Sequence, residues 1–258
     1  MTSSPEQEPQ FHGIEVQKFA DPRETAYAVA SKIESLIRKR RDAGVGCVLG
    51  LATGSTPIPV YAELVRRHRE DGLSFANVTT FNLDEYHPMD EANRHSYHAF
   101  MRRHLFDHVD IERSNTHLPS GSVSRQEVQE HCSEYESLIK ESGGIDMQLL
   151  GIGRTGHIGF NEPGSTPESR TRLVELVEIT RNDAADSFGG IDKVPKYAIT
   201  MGISTILDAK EIVLMGIGQG KRDIIRRTLV SGPPSSDVPA TFLRGHSATS
   251  FYLDKAAV

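Results

Sequence analysis

Four short apolar runs recur along the chain: VGCVLGLA (45–52), NVTTFNLDEY (77–86), IDMQLLGIG (145–153) and EIVLMGIG (211–218). Three of them lead into stretches of helical character, near 58–69, 93–107 and 220–231. Runs this short, with little polar alternation, suit strands buried on both faces, and strands that alternate with helices imply a parallel sheet. The expected fold class is therefore α/β: a doubly wound, mostly parallel, Rossmann-like sheet with helices on both faces. A further helix is expected to start at Asp21 and Pro22, with Glu24 at capping-box spacing. Val29, Ile33, Leu36 and Ile37 keep helical spacing, and the basic run Arg38 to Arg41 sits near the negative end of the helix dipole before Gly44 stops it. That basic run needs no ligand.

Composition narrows the function classes. The chain has 258 residues, 37% hydrophobic and 25% charged, near the globular average and long enough to bury a large core. We expect a flexible polar tail over residues 1–13 and a single domain over 14–258. A net charge of −6, spread along the chain, offers no basic stripe for a nucleic-acid partner. Cys47 and Cys132 form neither a disulfide framework nor a C-x-x-C pair, so both are expected as free thiols. No apolar run approaches the roughly 20 residues of a membrane span, and MTSSPEQEPQ lacks the apolar centre of a signal peptide. A soluble, cytoplasmic protein without a membrane partner is the expectation. SGPPSSDVP (231–239) reads as an exposed loop.

In doubly wound sheets ligands collect at the carboxyl ends of the strands. The unusual residues stand at such ends: TGST (53–56), DEY (84–86), GRTGHIGFNEP (153–163) and GQGK (218–221). TGSTP ends one buried run and opens a helix, a geometry in which N–H groups and hydroxyls surround a phosphate. A capped turn without ligand uses the same residues, so this segment alone leaves both readings open. Lys221 can add a point charge to the same anion, or be a solvated lysine. His157 and Glu162 share a glycine- and proline-rich loop that can fold the carboxylate onto the imidazole, giving a tuned base; a structural histidine is the alternative. Asp84, closing an apolar run, suits proton abstraction beside a carbonyl if it is partly desolvated, and a capping or ion-pair role if it is not.

Two glycine patterns are excluded. GIGRTG (151–156) is followed by HIGFNEPGS, which ends in Pro and Gly where a dinucleotide fold needs a helix; GIGQGK has Met215 and Arg222 at two Walker positions. His87, His95, His98, His104 and His108 include no H-E-x-x-H and no carboxylate at ligand spacing between them, so a metal site is not expected.

The motifs in this order resemble the glucosamine-6-phosphate deaminase (NagB) family, over nearly the whole chain after the tail. The likeness rests on LGLATGSTP (49–57), FNLDEY (81–86), SYHAFMRRHLFDHVDI (96–111), GHIGFNEP (156–163), SRTR (169–172), VPKYAIT (194–200) and the lysine of GQGK. The resemblance implies isomerisation of glucosamine 6-phosphate to fructose 6-phosphate with loss of ammonia, without metal or organic cofactor. It implies that His157 opens the sugar ring, that Glu162 orients and tunes His157, and that Asp84 moves the proton from C2 to C1. It further implies that Thr53, Gly54, Ser55, Thr56, Gly156 and Lys221 hold the substrate and its phosphate. The expected partner is a small sugar phosphate; a homo-oligomer is an open expectation, since the family includes hexamers and smaller forms.

Four departures from the family pattern stand out. Thr155 replaces an aspartate two residues before the histidine, so ring opening is expected to be slower or spontaneous. RNDAADSFGG (181–190) has no counterpart of the arginine that family enzymes bring to the phosphate. Of the allosteric N-acetylglucosamine 6-phosphate contacts, Ser165 and Arg172 match, but Val174 replaces a lysine and the chain stops at Val258. Weak or no allosteric activation is therefore expected. Among rivals, 6-phosphogluconolactonase carries a T-A-S-L-F-P-like stretch where this chain has IGFNEP, and galactosamine 6-phosphate differs by one hydroxyl inversion. A sugar-phosphate sensor with a DNA-binding helix-turn-helix would need more than the roughly 13 residues before the first element.

Overall fold

The computed structural model describes residues 14–230 and 232–258; the expected tail over residues 1–13 lies outside the described residues. The chain enters by strand β1 (Glu15–Phe19) and helix α1 (Pro22–Asp42). Asp21 accepts from the Glu24 amide at 2.9 Å, while the Glu24 carboxylate accepts from the Ala20 amide at 2.9 Å, so two orphan N–H groups are satisfied reciprocally. Val29, Ile33 and Ile37 are fully buried on one face, each contributing roughly 1.5–3 kcal/mol. The basic run is occupied internally: Arg38 binds Glu34, Arg40 binds the Gly46 carbonyl and Arg41 binds Asp42.

The chain continues through β2 (Cys47–Leu51), α2 (Ile58–Glu70), β3 (Val78–Asn82), β4 (Asp84–His87), α3 (Tyr97–His104), β5 (Thr116–His117), α4 (Val128–Glu141) and β6 (Met147–Leu150). It closes with β7 (Arg172–Glu175), α5 (Glu178–Phe188), β8 (Tyr197–Thr200), α6 (Ile203–Leu207), β9 (Ile212–Gly216), α7 (Arg222–Val230) and β10 (Thr249–Asp254). Seven strands form a parallel sheet in the order β1-β10-β9-β6-β2-β3-β5. Successive residues of each inner strand feed opposite faces. Cys47, Leu49, Leu51, Val213 and Met215 pack with α1, α2 and α3, whereas Val48, Ile212, Leu214, Phe251 and Leu253 pack with α4, α6 and α7. This two-sided burial is why the runs read as continuously apolar. Both cysteines are buried and free, burial pushing the Cys47 thiol up to about 12 and the Cys132 thiol up to about 11. Among the described residues no helix is long and apolar enough to cross a membrane.

Several expected boundaries move. The run expected as one strand over 77–86 is two strands, because β4 leaves the main sheet and joins β8 and β7 in an antiparallel sheet. Leu83, between them, donates its N–H to Leu51 (3.0 Å) and accepts from Met201 (2.7 Å), so one residue serves both sheets. The helix expected near 93–107 starts at Tyr97, where Ser96 caps it by accepting from Ala99 at 2.9 Å. The helix after β9 begins at Arg222, behind a short 3-10 turn over Gln219–Lys221. Within SGPPSSDVP, Gly232, Pro233 and Pro234 are exposed, but Val238 is buried in the core. The edge strand β1, its neighbour β10 and the helix α5 are among the additions to the sequence reading.

The first half of the chain builds outward from β2 to β3 and β5, and the second from β6 to β9 and β10. The adjacent strands β2 and β6 therefore flank the switch point, where connections leave in opposite directions and a crevice opens. Because Leu83 is 2% exposed and joins both sheets, Leu83→Ala should cost about 2–5 kcal/mol in urea denaturation. It should also lower turnover by displacing the adjacent Asp84.

Candidate active site

A cleft of about 220 Å³ opens at the carboxyl ends of these strands, lined by Thr53 to Thr56, Asp84, Tyr97, Gly153, His157, Phe160, Asp183 and Lys221, among others. It gathers all four strand ends singled out in the sequence. Glu162 and Thr155 stand behind His157, and Gly156 is not among the lining residues. A larger groove of about 470 Å³ between α3, β5 and α4 holds none of these strand-end residues; His98, Arg102, Phe106, Asp107 and Ile111 of the SYHAFMRRHLFDHVDI segment line it, with His117.

His157 is oriented by two partners. Its Nδ1 lies 3.1 Å from Glu162 Oε2 and 2.9 Å from Thr155 Oγ1, and Thr155 donates to the same carboxylate oxygen at 3.2 Å. With a carboxylate accepting at Nδ1, the proton belongs there and Nε2 is left as the acceptor. Thr180 of α5 donates to the other oxygen of Glu162. Burial pushes Glu162 up, but hydrogen bonds from His157, Thr180 and Thr155, with the charge of His157, outweigh it and hold the carboxyl below its ordinary value. Gly153 makes room for the ring: a Cβ there would stand 2.0 Å from Nε2. Gly156 holds φ at +83°, and a Cβ on it would meet Val238 at 2.5 Å, so the residue closes the loop against the core.

Asp84 is 5% exposed. Burial first, and the negative charge of Glu85 second, push its carboxyl well above the ordinary value. Glu85 is itself fixed by accepting from the amides of Tyr86, Tyr97 and His98. Gly159 packs on Asp84 so closely that a Cβ would lie 3.3 Å from Oδ2. On the opposite side, Lys221 Nζ donates to the Ile152 carbonyl at 2.7 Å; burial lowers its ammonium from the ordinary value, opposed by Asp183.

The site contains residues that sequence reasoning passed over. Thr180 and Asp183 come from α5, Tyr97 from α3, and Phe160 from the histidine loop. Tyr97 hydrogen-bonds Tyr86 and Thr53 and stacks on Phe160, forming an apolar wall. The motif SYHAFMRRHLFDHVDI contained Tyr97, but nothing local marked Thr180, whose partner lies 18 residues earlier.

Similarity to known proteins identifies the family. A family profile described as glucosamine-6-phosphate isomerases/6-phosphogluconolactonase matches residues 20–251. The chain belongs to this family. It is 49% identical over 211 residues to the glucosamine-6-phosphate deaminase of Oceanobacillus iheyensis, covering 82% of this chain and 83% of that protein. The enzyme of the same name from Rhodopirellula baltica is 46% identical over 244 residues, covering 95% and 94%. Among solved structures, a monomeric glucosamine-6-phosphate deaminase of the NagB superfamily superposes with a TM-score of 0.90 at 41% identity, covering 95% of this chain and 98% of that one. The 6-phosphogluconolactonase of Trypanosoma brucei, at 20% identity and a TM-score of 0.75 over 95% and 97%, shares the fold.

Two outcomes test this geometry. Because the folded-state pKa of Asp84 is raised, its ionised form opposes folding; the penalty is absent below the ordinary carboxylate range and grows as pH rises toward the folded value. Asp84→Asn should therefore raise the melting temperature at pH 8 by roughly 2–4 °C and change it little near pH ~4. Gly153→Ala should leave the fold intact, by circular dichroism, but lower kcat/KM about 100-fold by displacing the imidazole.

Proposed function

We propose that this cleft performs the isomerising deamination of glucosamine 6-phosphate to fructose 6-phosphate and ammonia. The observation that carries the reading is the placement of a buried carboxylate, Asp84, in the same cleft as the TGST loop and Lys221. Relatives 46–49% identical over most of the chain bear the deaminase name, which supports it.

The 6-phosphate lies against the backbone N–H groups and hydroxyls of Thr53 to Thr56, with Lys221 supplying positive charge. His157 Nε2 takes the proton of the anomeric hydroxyl and returns it to the ring oxygen, opening the ring. Glu162 and Thr155 hold Nδ1–H, so the ring cannot swing away during transfer. Asp84 then removes the C2 proton. The C2–H electron pair forms the C1–C2 double bond, the aldehyde oxygen takes a proton from water, and an enolamine results. Asp84 returns its proton to C1, leaving an iminium at C2 to which the resulting hydroxide adds; that hydroxyl's proton then passes to nitrogen, and ammonia leaves as the C2 carbonyl forms. A carboxylate desolvated by burial is a stronger base than a solvated one, as abstraction from carbon requires. Thr155 contributes a hydroxyl where family enzymes have a second carboxylate, so His157 works with one carboxylate.

The 41% identical structural relative is described as monomeric, which favours a catalytic unit complete in a single copy. Arg172 donates to Asn161 and Ser165, tying the positions that match the family's allosteric contacts to the active-site loop, while Val174 packs on the aromatic cluster around Tyr86 and Phe160. With an apolar residue there, N-acetylglucosamine 6-phosphate should leave the substrate saturation curve unchanged.

The deciding assay is ammonia release from glucosamine 6-phosphate beside galactosamine 6-phosphate and 6-phosphogluconolactone. Glucosamine 6-phosphate should be the preferred source of ammonia, and Asp84→Asn should abolish release. Thr155→Val, which removes a hydroxyl shared by His157 and Glu162, should lower kcat/KM roughly tenfold, the scale of one lost hydrogen bond. No ammonia from either amino sugar would overturn the proposal.

A further inference from the structure

Phosphate recognition in this cleft is short of positive charge. Lys221 is the one lysine or arginine among the lining residues, against the carboxylates of Asp84 and Asp183. A phosphate monoester carries about −1.5 to −2 at neutral pH, and Asp183, left uncompensated, would repel it. The compensation stands next to it. Arg154, two residues beyond the lining residue Ile152, grips Asp183 with a two-pronged fork: Nε lies 3.0 Å from Oδ2, and Nη2 meets Oδ1. The fork leaves Nη1 without a hydrogen-bond partner among the described residues, so two N–H donors remain for a ligand.

The pair is half exposed, at 52% for Arg154 and 44% for Asp183, so the guanidinium is open to solvent and to an arriving anion. Both side chains act on Lys221, the carboxylate favouring its ammonium and the guanidinium opposing it, which places the three charges in one neighbourhood. An ordinary exposed ion pair contributes about 0–1 kcal/mol and gives no reason for a carboxylate in the wall of an anion site. A carboxylate that presents an arginine does give one.

We propose that Arg154 is a phosphate-binding residue of this cleft, held by Asp183 of α5 and offering its free Nη1 to the 6-phosphate beside Lys221. The inference rests on the reading of the cleft as a sugar-phosphate site. It assigns the charge that RNDAADSFGG does not supply to the loop that also carries His157, so phosphate binding and placement of the ring-opening base share one backbone segment. Asp183 acts here as a positioning residue.

The test is calorimetric titration with two ligands that do not react, inorganic phosphate and glucitol 6-phosphate, on the wild type, Arg154→Gln and Arg154→Lys. The expected result is a roughly tenfold weaker Kd for both ligands in Arg154→Gln, partly restored in Arg154→Lys, which keeps the charge but loses the fork. With glucosamine 6-phosphate, KM should rise about tenfold while kcat stays within about twofold, the signature of lost binding shared by ground and transition states. Unchanged Kd values for both ligands in Arg154→Gln would overturn the proposal and reduce the pair to a surface ion pair. A fall in kcat with Kd unchanged would overturn it equally. Because the titration needs no turnover, a wild type that binds sugar phosphate but releases no ammonia would defeat the deaminase reading alone.

Discussion

The backbone of Leu83 donates to β2 and accepts from the residue after β8, so the peptide that ends the main sheet's third strand also begins the small antiparallel sheet. Asp84 is the next residue. Its carboxylate is therefore delivered to the switch-point crevice by two hydrogen-bonded ladders rather than by a loop, and it is desolvated because both sheets close around it. Moving the chain by one residue there would turn Asp84 away and set Leu83 or Glu85 in its place, since successive strand residues face opposite sides. Asn161 reinforces the junction, its amide donating to the carbonyls of Ile158 and Met201. The histidine loop is thus tied to the same β8 end that holds Leu83.

Three carboxylates in or behind the cleft show how environment assigns different work to the same group. Asp84 has apolar surroundings and a like charge nearby, and holds its proton more tightly. Glu162 is also largely buried, but donors from His157, Thr180 and Thr155 surround it and keep it ionised. Asp183 is half exposed and engaged with an arginine. The roles proposed for them, base, orienting partner and guanidinium holder, rest on burial and on the donors that reach each oxygen, not on residue type.

Helix α5 links these groups although it buries little apolar surface. Thr180 reaches Glu162, Asp183 reaches Arg154, and Phe188 packs edge-on against Tyr86 while stacking on His95. Its contacts fall on both sides of the cleft, so the position of one helix governs the histidine's carboxylate, the proposed phosphate cation and the aromatic wall together. The helix ends at Gly189 in the left-handed region, where a residue without Cβ reverses the chain toward β8 at little cost.

What the sequence determined by itself was the local and repetitive part of the molecule. Apolar runs without alternation specified strands buried on both faces, the Asp21–Glu24 cap specified the start of α1, and glycine, threonine and histidine at the run ends marked where the cleft opens, because each signal is complete within a few residues. The tertiary structure alone decided the break at Leu83, since a strand that changes sheets keeps the same apolar pattern and only its hydrogen-bond partners, more than 30 and 100 residues away, reveal the change. It alone decided the partners of Thr180, Asp183 and Arg154. A polar side chain acquires its function from the group it meets, and those meetings join α5 to the loop after β6 across distances that no local spacing records.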